Sequence, residues 1–253
     1  MKKTLFVFLL LILLGVGLFS QEEALPPLPR IEIGIGQVEQ PRDLVVTLEI
    51  ILILTILTLA PSILILMTSF TRIVIVFSFL RNSLGTRQIP PNQVLIGLAL
   101  FLTFFIMQPV FIQIYNDALV PYMEGQITYQ ELYQKSIQPI RTFMLNEIKI
   151  HHNEDNIDML LSSLKREKPE NLEKTPTSVL IPAFVISELE IAFKMGILLY
   201  IPFIIIDMVT ASVLLALGMI MIPPVLISLP FKVLVFVLVN GWDMLISSLI
   251  ASF

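Results

Sequence analysis

Four long apolar blocks, interrupted by one charged stretch, constrain this chain more than any other feature. They are about Leu44–Met67 with a continuation Phe70–Leu80, Val94–Ile114, Ala183–Leu217 and Met219–Val239. Crossing roughly 30 Å of hydrocarbon takes about 20 helical residues. A helix also satisfies its own backbone where no water can. The predicted fold class is therefore all-α, an integral membrane protein of long kinked helices and helical hairpins with a small helical extracytoplasmic domain. Composition agrees. Of 253 residues, 56% are apolar and 14% charged, against about 45–50% and about 25% in a soluble domain. Too few charges exist to cover a water-facing surface, and intrinsic disorder needs the opposite composition.

Two blocks are too long for one simple crossing. At about 1.5 Å per residue, Leu44–Leu80 as one helix would run roughly 55 Å and Ala183–Leu217 roughly 50 Å. Pro61 and Pro202 are the expected kinks or breaks. The alternatives are hairpins, or helices that extend past the bilayer.

The chain divides by composition into five parts. Residues 1–20 have the layout of a secretory signal: Lys2-Lys3, an apolar run Leu5–Leu14, then small residues up to Ser20. Residues 21–43, rich in Pro and Gly, are an extended linker. Residues 44–115 form an N-terminal helical membrane or hairpin region. Residues 116–182 form a helical extracytoplasmic domain, in which Leu132, Ile137, Ile140, Phe143, Met144 and Ile148 recur every three to four positions. Residues 183–253 form a C-terminal helical hairpin. Arg72, Arg81 and Arg87 lie between Phe70 and Gln93 with no acid, whereas Asn116–Glu190 carries 12 acidic and 7 basic residues, a balance of −5. The basic loop is expected inside and the acidic stretch outside.

Several functions have no foothold. The net charge is −4, with no Lys/Arg-rich stretch, so nucleic acid has no electrostatic footprint. Cysteine is absent, which removes disulfides and thiolate chemistry. No P-loop, HExxH or Ser–His–Asp spacing occurs, so no catalytic, cofactor or metal site is predicted. His151 and Asp155 stand at i,i+4, but two ligands do not make a site, and the stretch reads as a solvated helix end.

What remains is polar groups embedded in apolar blocks. Thr47, Thr55, Thr58 and Ser62 fall within an arc of roughly 80° on a helix. Either that face packs on another helix or each hydroxyl bonds its own helix. Arg72, Glu188, Glu190, Lys194, Asp207 and Lys232 lie in or beside apolar runs, at roughly 2.5–3.5 kcal/mol each on insertion scales when central. Glu190 and Lys194 are spaced to pair along one helix. Asp207 needs a partner from another helix, with Arg72 and Lys194 the candidates. Such groups serve either as a proton or ion relay or as assembly pairs between helices. Gly218-Met219-Ile220-Met221 interrupts the last apolar stretch ahead of Pro223-Pro224. Gly218 permits a turn and the prolines stop helix continuation. The methionines are either packing residues at a hairpin tip or a deformable apolar constriction that excludes water and ions.

Two stretches carry a more specific likeness. One runs from Pro61-Ser62-Ile63-Leu64 through Thr71-Arg72 and Leu80-Arg81-Asn82-Ser83-Leu84-Gly85 to Pro90-Pro91-Asn92-Gln93-Val94. The other runs from Ile201-Pro202-Phe203 through Asp207, Gly218–Pro224 and Ser228-Leu229-Pro230-Phe231-Lys232 to Asn240-Gly241-Trp242. Together they resemble the FliP family of flagellar type III export-gate proteins, related to SctR of injectisomes. The resemblance implies a bacterial inner-membrane component of the flagellar basal body. It implies a homo-oligomer, a pentamer in the family, assembled with FliQ and FliR and other export-apparatus proteins around a channel for unfolded export substrates. The family's methionine-rich seal falls on Gly218, Met219, Ile220 and Met221. Its usual three methionines read Met-Ile-Met here, and Asn240 stands where an acid is usual. Family members assemble as a cone whose helices need not all cross lipid. The function expected is a channel-forming, non-enzymatic export subunit. The alternatives are the injectisome counterpart, or an ion-coupled small-molecule transporter using Asp207.

Overall fold

A computed structural model of the chain describes residues 41–86, 89–219 and 221–253. The signal segment, the linker up to residue 40 and Ile220 lie outside the described residues. The chain divides into two units, residues 1–52 and 53–253. The described part of the first is the opening of α1 (Pro41–Leu66); the rest of α1 and every later element belong to the second. Among the described residues every element is helical: α2 (Phe70–Ser83), α3 (Asn92–Ile114), a π-helical turn (Tyr115–Leu119), α4 (Val120–Met123), α5 (Tyr129–Ile150), α6 (Asp155–Ser163), a 3-10 turn (Leu172–Lys174), α7 (Thr177–Ala216), α8 (Pro224–Leu238) and α9 (Gly241–Ala251).

Of the kinks or breaks expected at Pro61 and Pro202, neither is a break. Pro61 and Pro202 both lie inside helices that continue through them. In apolar surroundings a helix tolerates the lost N–H of proline, because neighbouring groups re-satisfy the freed carbonyl. The long first block is instead broken at Met67-Thr68-Ser69, where hydroxyls compete for backbone partners. Thr68 and Thr71 each donate to the Ile65 carbonyl at 3.4 Å, and the Phe70 N–H donates to Thr68 Oγ1. Among the described residues two helices suffice in length and apolarity to cross a membrane, Asn92–Met123 and Thr177–Ala216, and α8 with α9 qualifies as a third, bent by 64°.

Helix ends are set by residues that accept a left-handed backbone. Gly218 (φ +76°) follows α7; its N–H bonds the Leu215 carbonyl at 3.0 Å and the Met219 N–H bonds that of Leu214 at 2.9 Å. This paired reverse bonding is the Schellman motif. His152 (φ +55°) ends α5 in the same way, through His152 N–H to Lys149 O and Asn153 N–H to Ile148 O. The His151–His152 pair is thus a helix terminator. α5 begins with a capping box, in which the Glu131 N–H bonds Thr128 Oγ1 and Glu131 Oε2 accepts the Thr128 N–H at 2.8 Å. The Thr128 N–H, and then its hydroxyl at 3.0 Å, donate to that carboxyl and hold it below its ordinary value.

Two apolar cores result. In the first, Phe70, Ile73, Val76, Phe77 and Leu80 line one face of α2 at helical spacing and, with Leu84 just past its end, pack with Leu95, Ala99, Ala192, Phe203, Phe236 and Leu249. α7 meets α2 closely: a Cβ placed on Gly196 would sit 2.5 Å from the Phe79 ring. Small residues permit such approach where the hydrophobic effect gives no drive between helices. At the α8–α9 corner, a Cβ on Gly241 would lie 2.2 Å from the Phe236 ring. Asn240 takes the left-handed backbone there (φ +51°), a conformation that asparagine tolerates well. In the second core, Met144, Leu145, Ile148, Ile157 and Leu161 of α5 and α6 close over Val179, Leu180, Ala183 and Phe184 at the start of α7. Ile137, Ile140 and Phe143 pack against it, so the helical periodicity read in this stretch is the buried face of α5.

Candidate functional site

The polar groups gather into two buried clusters, one at each end of α2. At the first, Arg72 is fully buried. Its Nε donates to Glu188 Oε2 at 2.9 Å and its Nη2 to Glu188 Oε1 at 2.5 Å. The second Nη2 hydrogen goes to Glu147 Oε2 at 2.8 Å. Nη1 donates to the Ser252 carbonyl at 2.6 Å and to Ser252 Oγ at 3.0 Å. A guanidinium has five N–H donors, and all five are engaged. The Phe253 ring covers the guanidinium face at 3.7 Å and stacks on Phe143. A single cation thus ties together α2, α5, α7 and the residues after α9.

Beside it, His151 Nε2 contacts the Ser252 carbonyl at 3.1 Å and Glu147 Oε2 at 3.7 Å. A carbonyl only accepts, so this nitrogen carries the proton. Burial, then the nearby Arg72 charge, hold the imidazole below its usual pKa. Glu147 moves the other way, to about 7, chiefly through burial, with Arg72 opposing and Glu188 reinforcing the shift. Asn153 donates to Ser187 Oγ at 2.7 Å.

At the second cluster, Lys232 Nζ meets Asp207 Oδ2 at 2.6 Å and donates to the Ser83 carbonyl at 2.9 Å. Ser228 donates to Asp207 Oδ1 at 2.5 Å. The lysine thereby joins α7 and α8 to the C-terminal end of α2, where the helix dipole favours a cation.

Of the six embedded charges read from sequence, four pair across helices: Arg72 with Glu188, and Asp207 with Lys232. The Asp207 partner does come from another helix, but it is Lys232, not Arg72 or Lys194. Arg72 lies at the opposite end of α2, committed to carboxylates there. Glu190 and Lys194 do not form an ion pair among the described residues. Glu190 instead accepts from Asn156 Nδ2 at 3.4 Å, and Lys194 is exposed. On α1, Thr58 bonds the Thr55 carbonyl at 2.8 Å, the within-helix alternative for that hydroxyl. Sequence reasoning missed Glu147, Ser228, Ser252 and Phe253. For Glu147 a signal existed, since it sits three and four positions from Met144 and Phe143 on the apolar face of α5. Among the described residues no three His, Asp or Glu side chains are grouped to hold a metal ion.

The loop after α7 is the third feature. Gly218 faces open space, Met219 is 46% exposed, and Met221 is 96% exposed. The chain's own packing leaves Met221 uncovered.

Apolar helices of spanning length, buried charges matched to opposite charges, and an apolar loop left bare define a helical membrane protein whose polar chemistry fastens helices together. The FliP family profile matches residues 53–249. The flagellar biosynthetic protein FliP of Bacillus subtilis (strain 168) is 51% identical over 221 residues, 87% of this chain and 98% of that one. The protein of the same name from Treponema pallidum (strain Nichols) is 46% identical over 239 residues, 94% of this chain and 88% of its own length. That of Aquifex aeolicus (strain VF5) is 45% identical over 248 residues, covering 97% and 98%. The chain belongs to the FliP family.

Proposed function

We propose that this protein is a channel-forming subunit of the flagellar type III export apparatus in the bacterial inner membrane. It works without catalysis of its own, as one copy in a homo-oligomer with FliQ and FliR, and conducts unfolded export substrates. The helical region from Asn116 to Thr177 faces the extracytoplasmic side. Gly218–Met221 seals the closed channel. The observation that carries this reading is the bare Met221 side chain at the turn that follows Gly218. A flexible thioether left almost fully exposed by the described residues is suited to meet copies of itself around an axis, and to yield to a passing polypeptide. A ring of such groups blocks ions by excluding water.

The relatives' shared name supports the flagellar over the injectisome setting. The channel reading is favoured over the transporter alternative because both Asp207 oxygens are engaged by Lys232 and Ser228, as in a pair that fastens helices. The decisive experiment replaces Met219 and Met221 together by Ala in the assembled complex. Ion conductance of the closed complex is expected to rise while the complex still assembles. Unchanged conductance in an intact complex removes the seal.

A further inference from the structure

The Arg72 cluster holds one more negative group than it can neutralise. One guanidinium faces two carboxylates, with side-chain exposures of 0% for Arg72 and Glu188 and 3% for Glu147. If both acids are ionised, the buried site carries a net charge of −1. Among the described residues no other cation enters to correct it. At the end of α5 the neighbouring titratable groups are His151 and, further off, His152; burial, then the Arg72 charge, both disfavour a charge on His151. On α7, Lys194 acts on His151 only at a distance and is itself exposed. α2 contributes Arg72 alone. The Ser252 carbonyl and hydroxyl and the Phe253 ring bring no charge. An uncompensated buried charge is costly, and the cheapest remedy is a proton.

We propose that the Arg72–Glu147–Glu188 cluster is a proton-binding site, and that the bound proton closes a latch fastening α5 and residues 252–253 onto α2 and α7. Glu147 is the acid that takes it. Glu188 holds the guanidinium through two hydrogen bonds and Glu147 through one. Protonating Glu147 therefore gives up less, and its remaining carbonyl oxygen still accepts from Nη2.

The direction follows from linkage. The carboxyl has a folded-state value of about 7, above its ordinary 4.5. The closed cluster therefore binds more protons than an opened one between those values. Closure is fully favoured below pH 4.5 and weakens as pH rises through about 7. Between pH 6 and pH 8 the opening equilibrium should rise about tenfold, taking an ordinary carboxyl in the open state. The latch is tight on the acid side of neutrality and loose on the alkaline side.

Amide hydrogen exchange on the full-length protein in lipid nanodiscs tests this, after correction for the intrinsic pH dependence of exchange. The reporters are the amides of His151, bonded to Glu147 O, and of Ser252, bonded to Leu249 O. Wild type should open about tenfold more at pH 8 than at pH 6, and Glu147→Gln should lose that dependence. A wild type with no change, or a variant that keeps it, overturns the proposal. If Glu147→Gln does not fold, isotope-edited infrared spectroscopy of wild type decides. A protonated glutamate stretch present at pH 6 and lost by pH 8 supports the site; fully ionised carboxylates at pH 6 refute it. Neither readout depends on the channel or its seal, so the two proposals fail separately.

Discussion

At the scale of single residues, Arg72 shows why side-chain geometry outweighs charge. Its five donors each reach a separate acceptor position on Glu188, Glu147 and Ser252. Lysine supplies three donors from one point and cannot grip Glu188 side-on. Arg72→Lys keeps the charge but leaves at least two bonds unmade. At about 1.5–3 kcal/mol for a hydrogen bond to a charged group, the loss should be roughly 3–6 kcal/mol, read as a lowered thermal midpoint in detergent. A fall no larger than that of an exposed control such as Lys168→Arg would contradict this account. The embedded charges themselves were legible, because an apolar block makes any charge conspicuous. Their pairing was not. Asp207 and Lys232 are joined by the packing of α7 on α8, and spacing along one helix carries no trace of that. Glu147 escaped notice because it lies in a charged region, where one more acid stands out only against its apolar helical neighbours.

Helices expose a different distinction, between glycines needed for conformation and glycines needed for space. Gly218 has φ +76° and open surroundings, whereas Gly196 has an ordinary helical backbone and Phe79 pressed against it. Gly218→Ala should cost about 1–2 kcal/mol, the penalty of a left-handed backbone with a Cβ, wherever Phe79 stands. Gly196→Ala should destabilise by forcing the Phe79 ring away from α7, and Phe79→Ala in the same chain should recover part of the loss. A double-mutant cycle on thermal unfolding measures that coupling, expected at about 0.5 kcal/mol or more for residues in contact. Additive effects at Gly196 and Phe79 would show that the helices reseat without strain. The helical elements were readable from apolar length and from the three-to-four spacing on α5. Their breaks were not. Proline is the conspicuous breaker in an apolar block, and Thr68 and Ser69 are not. At this break Thr68 and Thr71 both turn back on the Ile65 carbonyl, whereas the helices carry on through Pro61 and Pro202.

The second unit as a whole has two polar ends. The Arg72 cluster gathers α5, Glu188 and Ser252 at one. At the other, Lys232 reaches the Ser83 carbonyl, and a Cβ on Gly85 would lie 3.4 Å from Val225. On α7 the two clusters are marked by Glu188 and Asp207, 207 − 188 = 19 residues apart, or roughly 28 Å along a helix. That is close to the roughly 30 Å of a bilayer's hydrocarbon, so both sets of charges can sit near its edges, where their burial costs least. On the topology proposed above, the Arg72 end faces the outside, and the Gly85 end, which carries Arg81, faces the inside. The chain has no cysteine, so single introduced thiols report orientation without further engineering. Glu170 and Asn82 are both exposed, one near each end. Glu170→Cys should react with a membrane-impermeant maleimide in cells whose outer membrane alone has been opened. Asn82→Cys should react only once the inner membrane is breached. Labelling of both thiols before that breach would mean that α2 does not reach the cytoplasmic face, and would place this end of the bundle above the bilayer with the rest.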